Sequence, residues 1–168
     1  YGQKMSKSIG NVIDPIGIIE SFEPFTDYPG EVLRFILLHE NPSFEDGDMT
    51  SELINIAYTA HLANGLGNLT SRVMKMVTTH IDEKFVKTEV KHPIEYLGAL
   101  NSYDIKKAIE IVFKDMRDLD LYIQESEPFK VIKTDVNSGK KVIKELRDRL
   151  YTIASLLLPF MPETSECI

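Results

Sequence analysis

The sequence contains no tryptophan and only one cysteine, Cys167, which lies at its far end. A single cysteine cannot form an internal disulfide or a cysteine-based zinc cage, and this scarcity fits a reducing compartment. The four histidines, His39, His61, His80 and His92, are scattered, and none forms a pair at ligand spacing with a carboxylate partner. We therefore predict no metal site.

Long apolar runs and an excess of basic residues are also missing. No segment reaches the roughly eighteen uninterrupted apolar residues of a membrane helix, and the N-terminus lacks the basic-then-apolar pattern of a signal peptide. The net charge is -7, which argues against a protein that binds nucleic acid through an overall positive charge. Positive charge is concentrated in residues 129–168, which contain seven Lys and Arg residues but only five Asp and Glu residues. We expect a soluble, cytoplasmic protein with no membrane contact, to which a polyanion would bind on one face.

Three amphipathic patterns follow one another in the second part of the chain. Each has apolar residues at intervals of three and four, as in a helix with one buried face. The first pattern begins near Thr50, the second stops at Pro128 and the third ends at Pro159. Because no alternating strand pattern lies between them, they predict an all-α fold, an antiparallel helix bundle. We call the apolar positions of each pattern a seam and interpret all three seams as core. They are Leu62, Leu66, Leu69, Val73 and Met76; Ile105, Ile109, Val112, Met116, Leu119 and Ile123; and Ile143, Leu146, Leu150, Ile153 and Leu157.

A connector with two short helices precedes the bundle. Asp14-Pro15 is typical of a helix start, and residues 31–40 predict a second short helical segment. The loop at residues 41–48 marks a boundary between a connector segment, residues 1–48, and a helical domain, residues 49–168. Within that domain we predict a polar crossing at residues 82–101, with room for one helical turn, and a turn at residues 137–139.

Two lysines, Lys4 and Lys7, lie in the opening stretch KMSKSIGN, residues 4–11. A Lys-x-x-Lys pair in a short loop with serines and a following Gly-Asn can place two ammonium groups around a triphosphate. There they would neutralise the charge that develops as the phosphoanhydride bond breaks. The spacing is not that of a Walker-type phosphate loop. From these residues alone, an exposed basic turn is the competing interpretation.

A polar face runs beside the first apolar seam and carries Asn64, Asn68, Arg72 and Lys75. Their spacing of four, four and three residues places them on one side of a helix. Asparagine offers both donors and acceptors and arginine offers a planar fork of donors, so together they can read the edge of a nucleobase. The competing interpretation is a solvated face that flanks the core.

An aromatic residue, Phe129, follows Glu127-Pro128 at the start of a basic stretch. A ring beside cations is a surface on which a splayed-out RNA base stacks. The competing interpretation is a hydrophobic staple that is tucked into the bundle. The basic residues of the stretch are Lys130, Lys133, Lys140, Lys141 and Lys144.

Residues 3–15, QKMSKSIGNVIDP, resemble the signature loop of class I aminoacyl-tRNA synthetases, in the extended form found in methionyl-tRNA synthetases. The similarity continues through short motifs across nearly the whole chain. These motifs are Gly30, Leu33-Arg34, Leu37-Leu38, Asp46-Gly47-Asp48, Leu62-Ala63-Asn64, Leu66-Gly67-Asn68-Leu69, Ser71-Arg72, residues 122–130 and residues 156–162.

The resemblance implies an ATP-binding loop at the start of the chain. In the family the second lysine of this loop, here Lys7, is credited with stabilising the pyrophosphate leaving group during adenylate formation, and the first, here Lys4, assists. These two lysines are therefore the expected catalytic residues. The full set of expected ATP-binding residues is Lys4, Met5, Ser6, Lys7 and Ser8.

The resemblance also implies an anticodon-binding surface. The family's anticodon readers match Asn68 and Arg72, and its stacking aromatic matches Phe129. That aromatic is usually tryptophan, so Phe129 offers a smaller stacking surface and no indole N–H. The expected contacts to the tRNA backbone are Lys75, Lys130 and Lys133.

As a whole, the resemblance implies the C-terminal part of a methionine-tRNA ligase, with ATP and Mg used by the full-length enzyme and a methionine-specific tRNA as partner. In the family the nucleotide-binding fold and methionine pocket lie upstream, and this chain opens on Tyr1. We therefore expect a monomeric fragment that lacks its N-terminal catalytic domain, is inactive alone and binds no cofactor by itself. The alternatives are the same bundle in a cysteine, leucine, isoleucine or valine synthetase, or a non-catalytic docking scaffold derived from it.

Overall fold

The computed structural model describes residues 6, 8–10, 12–41, 44, 47 and 49–168, which form helices and contain no strand. The all-α prediction is therefore confirmed. In that part of the chain, no helix is both long enough and apolar enough to cross a membrane. The helices are α1 (Pro15–Phe22), α2 (Pro29–Glu40), α3 (Ser51–Ala57), the π-helical segment π1 (Tyr58–Gly67), α4 (Asn68–His80), α5 (Ile94–Asn101), α6 (Ile105–Ser126), α7 (Pro128–Thr134), α8 (Val136–Leu157) and α9 (Pro162–Cys167).

The three predicted apolar seams form the core of the bundle. Of their sixteen residues, only Met76 and Ile105 are less than fully buried, and both still pack against the core. Phe22, Phe35 and Ile36 from α1 and α2 belong to the same core, so the connector helices and the bundle share one apolar interior. The division of the chain at residue 48 stays a prediction.

Helix α8 is the central element and packs against α4, α6 and α7. It runs antiparallel to α4, because Lys140 near its start shares a depression with His80 at the end of α4, whereas Ala154 lies beside Met74. The segment formed by π1 and α4, in contrast, runs parallel to α6. His61 contacts the ring of Phe113, and Arg72, further along the first segment, pairs with Asp120, further along α6.

Helices α3, π1 and α4 follow one another without a break from Ser51 to His80. The start agrees with the expected position, because the Thr50 hydroxyl accepts a hydrogen bond from the backbone N–H of Leu53. The π-helical segment was not predicted. A π-helix has wider turns than an α-helix. A Cβ built at Gly67 would lie only 3.2 Å from the carbonyl oxygen of Leu62, so glycine suits this position.

Two regions that were predicted to be turns or crossings are helical. Helix α5 has two turns and buries Tyr96 and Ala99, which makes the crossing part of the core. Residues 137–139 form the first turn of α8, because the Asp135 carboxylate accepts hydrogen bonds from the backbone N–H groups of Asn137 and Ser138. The predicted turn at these residues is wrong. Gly139 is buried at this point, packed directly against Ile132 of α7.

The buried carboxylate of Glu31 joins two distant parts of the chain. It accepts hydrogen bonds from the backbone N–H groups of Glu163 (2.7 Å) and Thr164 (2.9 Å), and from the Thr164 hydroxyl (2.6 Å). These N–H groups lie at the start of α9, where the first turn of a helix has no internal acceptors. Glu31 in α2 therefore caps α9 from another element.

Candidate functional site

A groove of about 550 Å³ runs between the π1–α4 segment and α6. Asn64, Asn68 and Arg72 line it from one side, and Asp120 lines it from the other. Both asparagines are exposed, and Arg72 is half-buried. Three of the four polar residues whose spacing predicted a shared face thus lie in one concave surface. The fourth, Lys75, is exposed and lies one turn further along α4.

The guanidinium of Arg72 is held by an ion pair. Its Nη1 donates to Oδ1 of Asp120, and the other carboxylate oxygen of Asp120 accepts a hydrogen bond of 2.9 Å from Gln124. Both partners of the ion pair are about 40% exposed, so the groove side of the guanidinium is open to solvent. Among the described residues, no bond to Nε or Nη2 of Arg72 is found, which leaves donors for a ligand.

The structure places Phe129 outside this groove. Its ring lines a neighbouring depression, into which Met76 and His80 of α4 project together with Lys133 and Lys140. The ring is 49% exposed. The residues of α7 that are buried in the core are Pro128 and Ile132.

Several lysines of the basic stretch have acidic partners. Lys130 pairs with Glu127, the residue that turns the chain between α6 and α7 with a positive φ of 39°. Lys144 lies 2.7 Å from Glu83, and Lys140 lies 3.9 Å from Asp82. All of these acidic residues are substantially exposed, so each pair contributes little to stability. No ion pair of Lys75 or Lys133 occurs within the described residues.

Most of the predicted ATP-binding loop lies outside the described residues, including Lys4, Met5 and Lys7. Of the predicted residues, Ser6 and Ser8 are described, and their hydroxyl oxygens lie 2.7 Å apart. The backbone N–H groups of Ile9 and Gly10 both donate to the Ser6 carbonyl, which closes a turn. Gly10 has a φ of 73°, a conformation that glycine adopts without strain.

The sequence analysis missed a cluster at one end of the groove. His39 and Glu40 end α2, and His61 of π1 packs against them, with the two imidazole centroids 4.4 Å apart. Nδ1 of His39 lies 2.7 Å from Oε1 of Glu40, and Nε2 of His61 lies 3.6 Å from the same oxygen. Burial, together with the adjacent His39, lowers the pKa of His61. No sequence signal joins these residues, because only the packing of α2 against π1 brings them together.

Known proteins are similar to nearly the whole of this chain. The family described as tRNA synthetases class I (M) matches residues 1–74. The methionine-tRNA ligase of Mycoplasmopsis pulmonis is 31% identical over 97% of the chain. That of Clostridium acetobutylicum is 30% identical over 99% of the chain.

The chain is therefore similar to one part of the methionine-tRNA ligases. It spans 33% of the length of the Mycoplasmopsis pulmonis relative and 27% of the Clostridium acetobutylicum relative. A structure of the methionyl-tRNA synthetase of Mycobacterium tuberculosis bound by methionyl-adenylate is 25% identical, with a TM-score of 0.78. This chain covers 34% of that synthetase, and 97% of this chain is aligned. A second structure, of the same synthetase in complex with methionyl-adenylate, shares the fold with a TM-score of 0.78 over 98% of this chain.

Proposed function

We propose that this chain is the anticodon-binding part of a methionine-tRNA ligase and that the groove between π1–α4 and α6 reads the anticodon. The observation that carries the proposal is the convergence of Asn64, Asn68 and Arg72 on that groove. The match to methionine-tRNA ligases over 97% and 99% of the chain supports the same function.

Asn68 and Arg72 divide the recognition of a base between them. The amide of Asn68 offers a donor and an acceptor, which suits the edge of one base. Arg72 offers its remaining guanidinium donors, while Asp120 fixes its orientation in advance and so reduces the conformational entropy that is lost on binding. This arrangement favours a base that presents two acceptors to the guanidinium.

Phe129 would act as a stacking surface beside the groove. Its half-exposed ring projects from a helix that is anchored to the core by the buried Pro128 and Ile132. Lys133 and Lys140 line the same depression and would contact phosphates next to the stacked base. Lys75 and Lys130, both exposed, would add further contacts to the tRNA backbone.

The loop at Lys4–Ser8 would serve the ATP-dependent activation of methionine in a complete ligase. Lys4 and Lys7 would neutralise negative charge on the phosphates of ATP, and bound Mg²⁺ would supply further charge neutralisation there. The methionyl-adenylate bound to the Mycobacterium tuberculosis synthetase is the product of such a step and supports this role.

Binding of a methionine anticodon stem-loop to the 168-residue chain tests the proposal for the groove. Arg72→Ala is expected to cost about 1 to 3 kcal/mol in discrimination against a stem-loop with one changed anticodon base, because the guanidinium contacts are lost. Asn68→Ala should act in the same direction. Fluorescence anisotropy with both stem-loops at fixed salt provides the measurement.

Asn101→Ala is the matched control, since Asn101 is exposed at the end of α5 and lies outside the groove. It should leave both affinities unchanged. If the chain bound both stem-loops equally well and Arg72→Ala changed neither affinity, the groove would not read the anticodon.

A further inference from the structure

We propose that His39, Glu40 and His61 form a binding site for one divalent transition-metal ion, with Zn²⁺ as the best fit. Two imidazoles and one carboxylate would be the protein ligands, and the fourth position would stay open to water. The proposal does not depend on the proposed function, because neither Asn68 nor Arg72 belongs to this cluster. It departs from the absence of a metal site that the sequence spacing predicts.

The separations between the ligand atoms suit such a site. A tetrahedral zinc ion with ligands at about 2.0 to 2.1 Å holds neighbouring ligand atoms about 3.3 Å apart. Oε1 of Glu40 lies 2.7 Å from Nδ1 of His39 and 3.6 Å from Nε2 of His61, values on either side of that spacing. One ligand atom from each residue can be chosen so that all three lie within 4.8 Å of one another. Small side-chain rotations are therefore enough to close the three ligands around an ion.

The surroundings hold the two imidazoles in place. The ring of His39 stacks on Phe35 with centroids 5.1 Å apart, and the ring of Phe113 packs edge-on against His61 at 5.5 Å. Phe35 is fully buried, and Phe113 is nearly so. The side chains of His39, Glu40 and His61 keep exposures of 13%, 31% and 35%, which leaves an entry path for a hydrated ion. Packing of the imidazoles against buried aromatic rings limits their rotation, which favours a site that is formed before the metal arrives.

The ligand set selects the class of ion. Imidazole nitrogen with one carboxylate oxygen suits Zn²⁺ and similar transition metals, whereas Mg²⁺ and Ca²⁺ prefer sites made only of oxygen ligands. One feature opposes the binding of a cation: the positively charged Arg117 lines the same groove as His61. Arg117→Gln should therefore tighten zinc binding.

Calorimetric titration of the metal-stripped chain with Zn²⁺ tests the site, with Co²⁺ absorption spectra reporting the ligand geometry. We expect one ion per chain with a dissociation constant of about 10 μM or below. His61→Ala and Glu40→Gln should each weaken binding by about tenfold or more, because each removes one ligand. Both residues are partly exposed, and circular dichroism of each variant will show that the helices are retained.

Two control variants separate this site from adventitious binding. His92→Ala removes an exposed imidazole elsewhere on the molecule, and Cys167→Ser removes the exposed thiol. Neither should change the affinity. Absence of saturable Zn²⁺ binding would overturn the proposal. Binding that His61→Ala and Glu40→Gln leave intact, or that Cys167→Ser abolishes, would overturn it as well.

Discussion

At the scale of single residues, Tyr96 shows how one hydroxyl joins a short helix to the bundle. Its ring is 2% exposed, and its hydroxyl donates a hydrogen bond of 2.7 Å to the carbonyl of Leu156 in α8. Burial raises the pKa of Tyr96 to about 12. The neutral phenol is therefore part of the folded structure, and ionisation at this position opposes folding.

Alkaline unfolding should reveal this residue. In the unfolded chain a tyrosine loses its proton near pH 10, whereas folded Tyr96 keeps its proton up to about pH 12. Its contribution to stability is thus fully present below pH 10 and is lost as the pH rises from 10 towards 12. Tyr96→Phe should lower the free energy of unfolding at pH 7 by about 1 kcal/mol and flatten its decline above pH 10. Denaturant unfolding at several pH values measures both effects.

Tyr103→Phe is the matched control, because Tyr103 is 78% exposed. It should change neither the stability at pH 7 nor the alkaline slope. An alkaline slope that Tyr96→Phe left unchanged would show that another group is responsible.

The individual site residues differ in how far the sequence alone could predict their surroundings. Helical spacing was enough to place Asn64, Asn68 and Arg72 on one face, because it depends only on local geometry. The ion pair between Arg72 and Asp120 joins residues 48 positions apart, so it depends on how two helices pack. The same holds for His61, which meets His39 only through tertiary contact.

At the scale of elements, apolar periodicity predicted the long helices well and the short ones poorly. The three seams are long enough for the 3.6-residue period to dominate. Helices α5 and α7 have eight and seven residues, too few for a clear period, and they are stabilised by burial of residues such as Tyr96 and Ile132. At residues 137–139 the Asn-Ser-Gly composition favoured a turn, but the cap from Asp135 and the packing of Gly139 favour a helix.

The close packing of α7 on α8 leads to a prediction at Gly139. A Cβ added there would lie 2.4 Å from the backbone Cα of Ile132, so the two helices would have to move apart. Gly139→Ala is expected to destabilise the chain by about 1 to 3 kcal/mol, because this strain exceeds the gain in helix propensity of about 1 kcal/mol. Thermal and urea unfolding provide the measurement.

Gly98→Ala offers a matched control, since Gly98 also lies within a helix but has no neighbouring atom within 4 Å of the added Cβ. It should be neutral or stabilise the chain by up to about 1 kcal/mol. Equal effects of the two substitutions would mean that the contact between α7 and α8 is not tight.

At the scale of the whole molecule, the direction of the helices decides where the groove forms. Because π1–α4 and α6 run parallel, residues near the start of each segment meet, and so do residues further along. The connection through residues 81–104, which includes α5, returns the chain to the end of the bundle where the next helix starts. Seams in the sequence predict that helices pack, but they carry no information on which pair runs parallel.

A prediction for the complete ligase concerns the opening loop. Lys7→Ala should slow adenylate formation far more than it weakens methionine binding, since the lysine is proposed to act on the phosphates as charge develops. Pre-steady-state adenylate formation and equilibrium methionine binding measure the two quantities separately. An equal loss in both would contradict this role. Lys141→Ala, an exposed lysine on α8, serves as the control and should change neither quantity.

The cap that Glu31 provides for α9 also sets an order of events during synthesis. The carboxylate and the backbone groups that it binds are 132 and 133 residues apart in sequence. Until a ribosome has added residues 163 and 164, Glu31 has no partner there, and burying an unpaired carboxylate is costly. Helix α2 should therefore dock fully only after residues 163 and 164 have left the exit tunnel, so the connector helices complete their packing later than their position in the sequence suggests.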